Sequence, residues 1–323
     1  MKKRLLVFLL CLLTSLFLFE AEEKREKEKF NYDFAVGLAT IGENNKASLR
    51  IISWVFNEGF FPQPSFGVDS YRKLQNDFLT DMKKRNKRVE FFYRNNKIGT
   101  ATIKNVDDSG CGDVWADLEV KGKSIEQLQC TGIIPLDKRF KVKETYKEIT
   151  PSEDQLSDLK NWAQDYCIKE AIKFLKQKKD SSYVQKKTQG EIENSDFSID
   201  KDKINIKAFY LNKTKTDLYI ISTPYFKCSK KVVNLLLPNF HLEAFPIGWF
   251  LVVEIKDGQK KILHSEEQEG QYNEIGFIDL CDFDGDEMPE LVFEIGEQDG
   301  TSRELYKILE KELKLVAQYR WGC

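Results

Sequence analysis

Phe277-Ile278-Asp279-Leu280-Cys281-Asp282-Phe283-Asp284-Gly285-Asp286-Glu287-Met288-Pro289-Glu290-Leu291-Val292-Phe293 reads as a strand, an acidic turn and a second strand. The flanks carry the apolar and β-branched residues of strands, and between them carboxylates alternate around a glycine. Calcium is a hard cation that takes six to eight oxygens. Loops built for it supply them from positions 1, 3 and 5, a backbone carbonyl at 7 and an oxygen at 9. That spacing nominates Asp282, Asp284, Asp286, the carbonyl of Met288, and Glu290 as ligands of Ca2+. Position 12 is Phe293, so the usual closing bidentate glutamate is absent. Along the second strand Leu291, Phe293 and Ile295 share one face and Glu290, Val292 and Glu294 the other, which predicts acidic side chains directed away from the core.

Around this hairpin the carboxy-terminal part reads as mostly antiparallel β. Strands are expected over 204–211, 218–222, 249–255 and 261–264, with Asp257-Gly258 as a tight hairpin turn. Upstream, Thr150-Pro151-Ser152-Glu153 has the form of a capping box and predicts a helix start. Leu156, Leu159, Ala163, Tyr166, Cys167, Ile172 and Leu175 continue it as an amphipathic stripe. The polar run 178–198 then reads as a linker. Further upstream, strands are expected over 49–56, 89–93 and 98–106, with a hairpin turn at Asn95-Asn96. Tyr71, Leu74, Phe78 and Met82 mark a helix after an Asp69 cap. The fold class that follows is α+β: a small amino-terminal α+β domain (30–149), a connecting amphipathic helix and linker (150–198), and a mostly antiparallel β domain (199–323).

The amino terminus predicts export. Lys2, Lys3 and Arg4 precede an apolar run from Leu5 to Phe19, broken only by Thr14 and Ser15, which is the pattern of a secretion signal. The run is shorter than the roughly 20 residues a membrane-spanning helix needs. With the charged spacer 20–29 it makes up the segment 1–29. The expected location is periplasmic, outer-envelope or extracellular, with membrane contact only if the signal is retained. Of the seven cysteines Cys11 lies in the signal, leaving Cys111, Cys130, Cys167, Cys228, Cys281 and Cys323. An even number in an exported chain predicts disulfides, with Cys111–Cys130 and Cys281–Cys323 the preferred pairs.

A formal net charge of -2, with acidic and basic residues interleaved, argues against a nucleic-acid partner. The chain has two histidines, His241 and His264, too few for a three-histidine zinc centre. No P-loop, dinucleotide fingerprint or nucleophile elbow occurs. A second acidic stretch, Asp107-Asp108-Ser109-Gly110-Cys111-Gly112-Asp113 followed by Asp117 and Glu119, has the composition of a turn. It also supplies the acid pair that a secreted, glycan-directed hydrolase would need, with Asp113, Asp117 or Glu119 as acid and base. Aromatics at Trp54, Phe56, Phe60, Phe61 and Phe66, around Pro62 and Pro64, offer a platform for a protein or glycan partner, or ordinary core.

The stretch Phe277 to Phe293 resembles the single Asp-rich loop of FG-GAP and VCBS-type extracellular repeats and of related uncharacterised bacterial envelope proteins, and Glu297-Gln298-Asp299-Gly300 through Tyr306 with the closing Tyr319-Arg320-Trp321-Gly322-Cys323 is similar to the tails of that uncharacterised group. The resemblance covers about the last fifty residues. It implies calcium at Asp282, Asp284, Asp286 and Glu290 and no enzyme activity. The position after Asp286, usually glycine in such loops, is Glu287 here, which predicts backbone strain and reduced affinity. With a single good copy of the motif, no propeller is expected. The expected function is a noncatalytic envelope protein with a structural calcium loop, acting as a binding or interaction module.

Overall fold

A computed structural model describes residues 33–42, 46–56, 59–61, 68–108, 114–121, 129–136, 140–141, 143–179, 194–229, 247–269, 275–297 and 300–322. The signal segment, Asp113, Phe66 and His241 lie outside them.

The amino-terminal part is a closed β-barrel. Its elements are β1 (Phe34–Ile41), β2 (Lys46–Phe56), β3 (Gly59–Phe61), α1 (Val68–Lys84), β4 (Arg88–Tyr93), β5 (Asn96–Asp108), β6 (Val114–Lys121) and β7 (Gln129–Pro135). Strands run in the order β1-β7-β4-β5-β6-β2, and β1 pairs back onto β2 to close six strands, with β3 appended to β2. Closure removes the exposed sheet edges. Inward-facing residues of β1, β2, β4 and β6, including Ala35, Ala39, Leu49, Ile51, Val89, Phe91 and Leu118, form one buried cluster with Tyr71, Phe78, Leu79 and Met82 of α1. Tyr71 Oη and Gln75 Nε2 both donate to the Ile51 carbonyl, at 2.7 and 2.8 Å, and Phe78 meets Trp54 edge-on. The barrel interior is tight where Gly37 faces Gly132 across β1 and β7. A Cβ on Gly37 would stand 2.4 Å from the Arg50 carbonyl, and one on Gly132 would stand 2.5 Å from Leu49 Cδ1, so Leu49 occupies space that any other residue pair would fill.

Three further layers follow. β8 (Tyr146–Glu148), α2 (Glu153–Lys179), β9 (Phe197–Ser198), β10 (Asn205–Leu211), β11 (Thr216–Ser222), β12 (Lys227–Cys228), β13 (Ile247–Lys256) and β14 (Gln259–Glu269) supply a five-stranded sheet in the order β14-β13-β11-β10-β8, and a small β12-β9 pair. β15 (Ile275–Cys281), β16 (Glu290–Glu297), β17 (Gly300–Ile308) and β18 (Leu313–Gly322) form an antiparallel meander. This four-stranded sheet is the middle layer. Its Ile278, Val292, Leu305 and Ala317 pack on the outer face of the barrel at Val36, Leu38, Ile52 and Ile133. Its Leu280, Leu291, Phe293 and Ile295 pack on Phe209, Leu218, Ile220 and Phe250 of the five-stranded sheet. The far face of that sheet is covered by Leu159, Ala163, Cys167 and Ala171 of α2.

The expected α+β class is therefore wrong. The chain is mostly β, with two α-helices among the described residues, and the strands between Phe34 and Pro135 close into a barrel instead of forming an α+β domain. The long helix is an outer layer on the five-stranded sheet and not a connector. Barrel closure rests on the β1–β2 and β1–β7 pairings, and β1 is buried on both faces, so it shows no polar alternation to reveal it.

Two local expectations shift by small steps. The hairpin turn sits at Arg94-Asn95, whose φ values of 50° and 62° belong to a two-residue mirror-image turn, one position before the expected pair. The helix cap is Ser152 with Gln155, which bond reciprocally at 3.2 and 2.9 Å, two residues beyond the Thr150–Glu153 box. Among the described residues no disulfide forms. Cys130, Cys167 and Cys281 are buried free thiols, while Cys111 and Cys323, the expected partners of Cys130 and Cys281, lie outside the described residues.

Candidate metal centre

The acidic turn joins β15 to β16 at the rim of the middle sheet. Its form follows from carboxylates capping the loop's own amides, a habit of aspartate. Asp282 accepts from the N–H of Gly285 at 2.7 Å and of Glu287 at 3.1 Å; Asp284 accepts from Asp286 at 3.2 Å; Asp286 accepts from Met288 at 2.8 Å. Gly285 and Glu287 both take positive φ, 83° and 72°. The residue predicted to strain the turn does occupy the left-handed region. On either side the turn is anchored in core. The Phe283 ring enters the cluster between sheet and barrel beside Phe140, and the Met288 side chain enters the cluster between the two sheets.

Glu290, the first residue of β16, is completely buried. The expectation that its face of the strand looks away from the core fails, because that face lies against the barrel, where Val292 is buried too. Glu290 Oε2 accepts from the Phe283 amide at 2.8 Å, and Oε1 has no hydrogen-bond partner among the described residues. One oxygen each of Asp282, Asp284 and Glu290 lie within 4.8 Å of one another, and all three residues are buried. Oxygens bound to one calcium at 2.3–2.6 Å are separated by at most about 5 Å, so the triad is dimensioned for a shared ion. Asp286 is not among the converging oxygens. Its Oδ2 instead meets Lys307 Nζ at 2.8 Å.

Lys307 was not foreseen. It stands opposite Glu290 in the β16–β17 register and places its ammonium on both Asp284 and Asp286. Nothing local to Glu304-Leu305-Tyr306-Lys307 marks it; only the antiparallel pairing brings it there. Two more lysines hold loop carbonyls. Lys143 donates to Gly285 O at 2.8 Å, and Lys213 donates to Asp286 O at 2.5 Å.

The electrostatics follow from burial. Desolvation pushes Glu290 well above the usual carboxylate range, and the neighbouring Asp284 adds to it. Desolvation also raises Asp282 and Asp284, against the amide bonds on the first and Lys307 on the second. For Asp286 desolvation acts upward too, but the bonds from Lys307 and the Met288 amide outweigh it and its carboxyl lies below the ordinary range. Three of the four carboxylates nominated as ligands are thus raised, by burial first of all.

The second acidic stretch behaves differently. Asp108 is ion-paired with Arg72 at the surface, Asp107 accepts from the Asn105 amide at 3.0 Å, and Glu119 is exposed and paired with Lys104 at 2.7 Å. Burial, then the neighbouring Asp107, raises the Asp117 carboxyl, and Trp115 Nε1 donates to it at 3.2 Å. Of the aromatic platform, Trp54 and Phe60 are buried core residues. His264 lies within β14, partly exposed, 3.1 Å from Glu266.

Comparison of the chain with family models, with curated proteins and with solved structures gives no match.

Proposed function

We propose that this chain is an exported, noncatalytic envelope protein in which the 282–290 turn binds one calcium ion as a structural clasp, with Asp282, Asp284 and Glu290 as the core ligands. The observation that carries the reading is Glu290: a fully buried carboxylate that has one oxygen unpartnered among the described residues and brings an oxygen within 4.8 Å of those of two other buried carboxylates. An uncompensated acid in this position is costly, and a divalent cation with a preference for hard oxygens relieves it. The ion would tie β15 to β16 at the rim where Phe283 meets the barrel layer and Met288 the second sheet, so its effect is on stability and on the seating of three layers. Export is supported by the amino-terminal charge and apolar pattern.

The test is calorimetry of the purified protein in excess calcium and in excess chelator. The melting temperature is expected to rise with calcium, and Glu290→Gln to fold while losing that rise. Identical melting of the wild type in the two buffers would remove the calcium reading.

A further inference from the structure

The carboxylates of the turn already hold a cation, and it belongs to the chain. Lys307 Nζ contacts Oδ2 of both Asp284 and Asp286, and among the described residues it is the side-chain cation within ion-pair reach of these acids. Asp284 has its other oxygen committed to the Asp286 amide, so its share in the triad and its bond to Lys307 draw on the same small set of lone pairs. An ammonium is a compact point charge, and it cannot share an oxygen with a divalent ion at coordination distance without strong repulsion. The lysine head has somewhere to go. Its side chain is about one-fifth exposed (21%), while that of Asp284 is fully buried, so the ammonium can swing to water on its flexible stem while the carboxylate stays.

Resting on the calcium reading above, we propose that Lys307 is a tethered, displaceable competitor: calcium binds the turn by expelling the Lys307 ammonium from Asp284, and Lys307 thereby sets the affinity. At low calcium the lysine partly neutralises Asp284 and Asp286 and keeps the turn folded. At high calcium it is released to the surface of β17. The site would then respond to a high-calcium exterior and stay lysine-filled in a low-calcium interior.

Calcium titration calorimetry of the wild type and of Lys307→Met, which keeps the apolar stem, tests this. The variant is expected to bind calcium about tenfold more tightly, equivalent to about 1.4 kcal/mol. Binding by the variant alone would show that calcium does not displace the lysine and would overturn the proposal. Equal or weaker binding by the variant overturns the competitor role and leaves the calcium site standing. Absence of binding in both proteins removes the two together. Should the variant not fold, amine acetylation of the wild type read by mass spectrometry decides: saturating calcium is expected to raise labelling of Lys307 several-fold while the exposed Lys314 stays constant. Labelling of Lys307 unchanged by calcium that demonstrably binds overturns the proposal.

Discussion

Two stretches of this chain look alike as strings of Asp and Gly, and the fold treats them oppositely. The described acids of the 107–119 stretch, Asp107, Asp108, Asp117 and Glu119, lie on the outside of the barrel, where each finds a basic, amide or indole partner or open water. The 282–290 turn lies at a junction of three layers, where burial leaves Glu290 with an unpartnered oxygen and one lysine on Asp284 and Asp286. The difference teaches that acidic composition alone does not decide how a stretch is compensated; what separates the two is the exclusion of water around one of them. Asp279 completes the comparison. It is as buried as Glu290, yet it is surrounded by the amides of Arg94 and Leu280, the Thr131 hydroxyl and the Arg94 guanidinium. That guanidinium also stacks on Tyr93, Phe209 and Phe277.

The largest effect is expected where the buried charge is fully partnered. Asp279→Ala leaves Arg94, in a nearly closed site, with the exposed Glu148 at 3.8 Å as its remaining ion-pair partner among the described residues, and should cost about 3–5 kcal/mol, equally with and without calcium, as read by denaturant unfolding. Next is Asp284→Ala. It should abolish calcium stabilisation, which for the wild type reaches about 2.7 kcal/mol at a calcium level one hundred times the dissociation constant. Asp117→Ala should leave that stabilisation intact, and an equal loss in both variants would dissolve the distinction between the two stretches. Glu287→Gly relieves a left-handed non-glycine residue and should stabilise the protein by about 1 kcal/mol, a gain limited by the added freedom of the unfolded chain.

The smallest effect is one of pH on the barrel side. Desolvation, then the contact with Asp107, raises the Asp117 carboxyl in the fold. The folded state therefore holds its proton longer than the unfolded state, so stability contributed by the protonated form is present below about pH 3.9 and fades as pH rises through the higher folded value. Asp117→Asn should flatten that decline, and carboxyl chemical shifts followed through the titration would show whether Asp117 titrates late.

Much of the local structure was legible in sequence: the strands around the turn, the Asp257-Gly258 hairpin and the helix marked by Tyr71, Phe78 and Met82. These rest on period and turn chemistry, which act within a few residues. The barrel was not legible, because it depends on Phe34–Ile41 pairing with partners on both sides and on Gly37 and Gly132 meeting only after closure. Of the carboxylates that the spacing nominated as ligands, Asp282, Asp284 and Glu290 converge and Asp286 does not join them. The diversion of Asp286 to Lys307 was hidden, since the register of β16 with β17 decides it. The burial of Glu290 was hidden as well: alternation along a strand says which residues share a face, but not that both faces are covered.

That last point has a consequence for the molecule as a whole. The apolar residues of the four-stranded meander pack on both of its faces, against the barrel on one and the second sheet on the other. A chain cut between 180 and 193 would leave one fragment with a bare outer wall and another with an unroofed apolar plate. Each half is an unfinished building whose missing wall is carried by the other, so they stand or fall together.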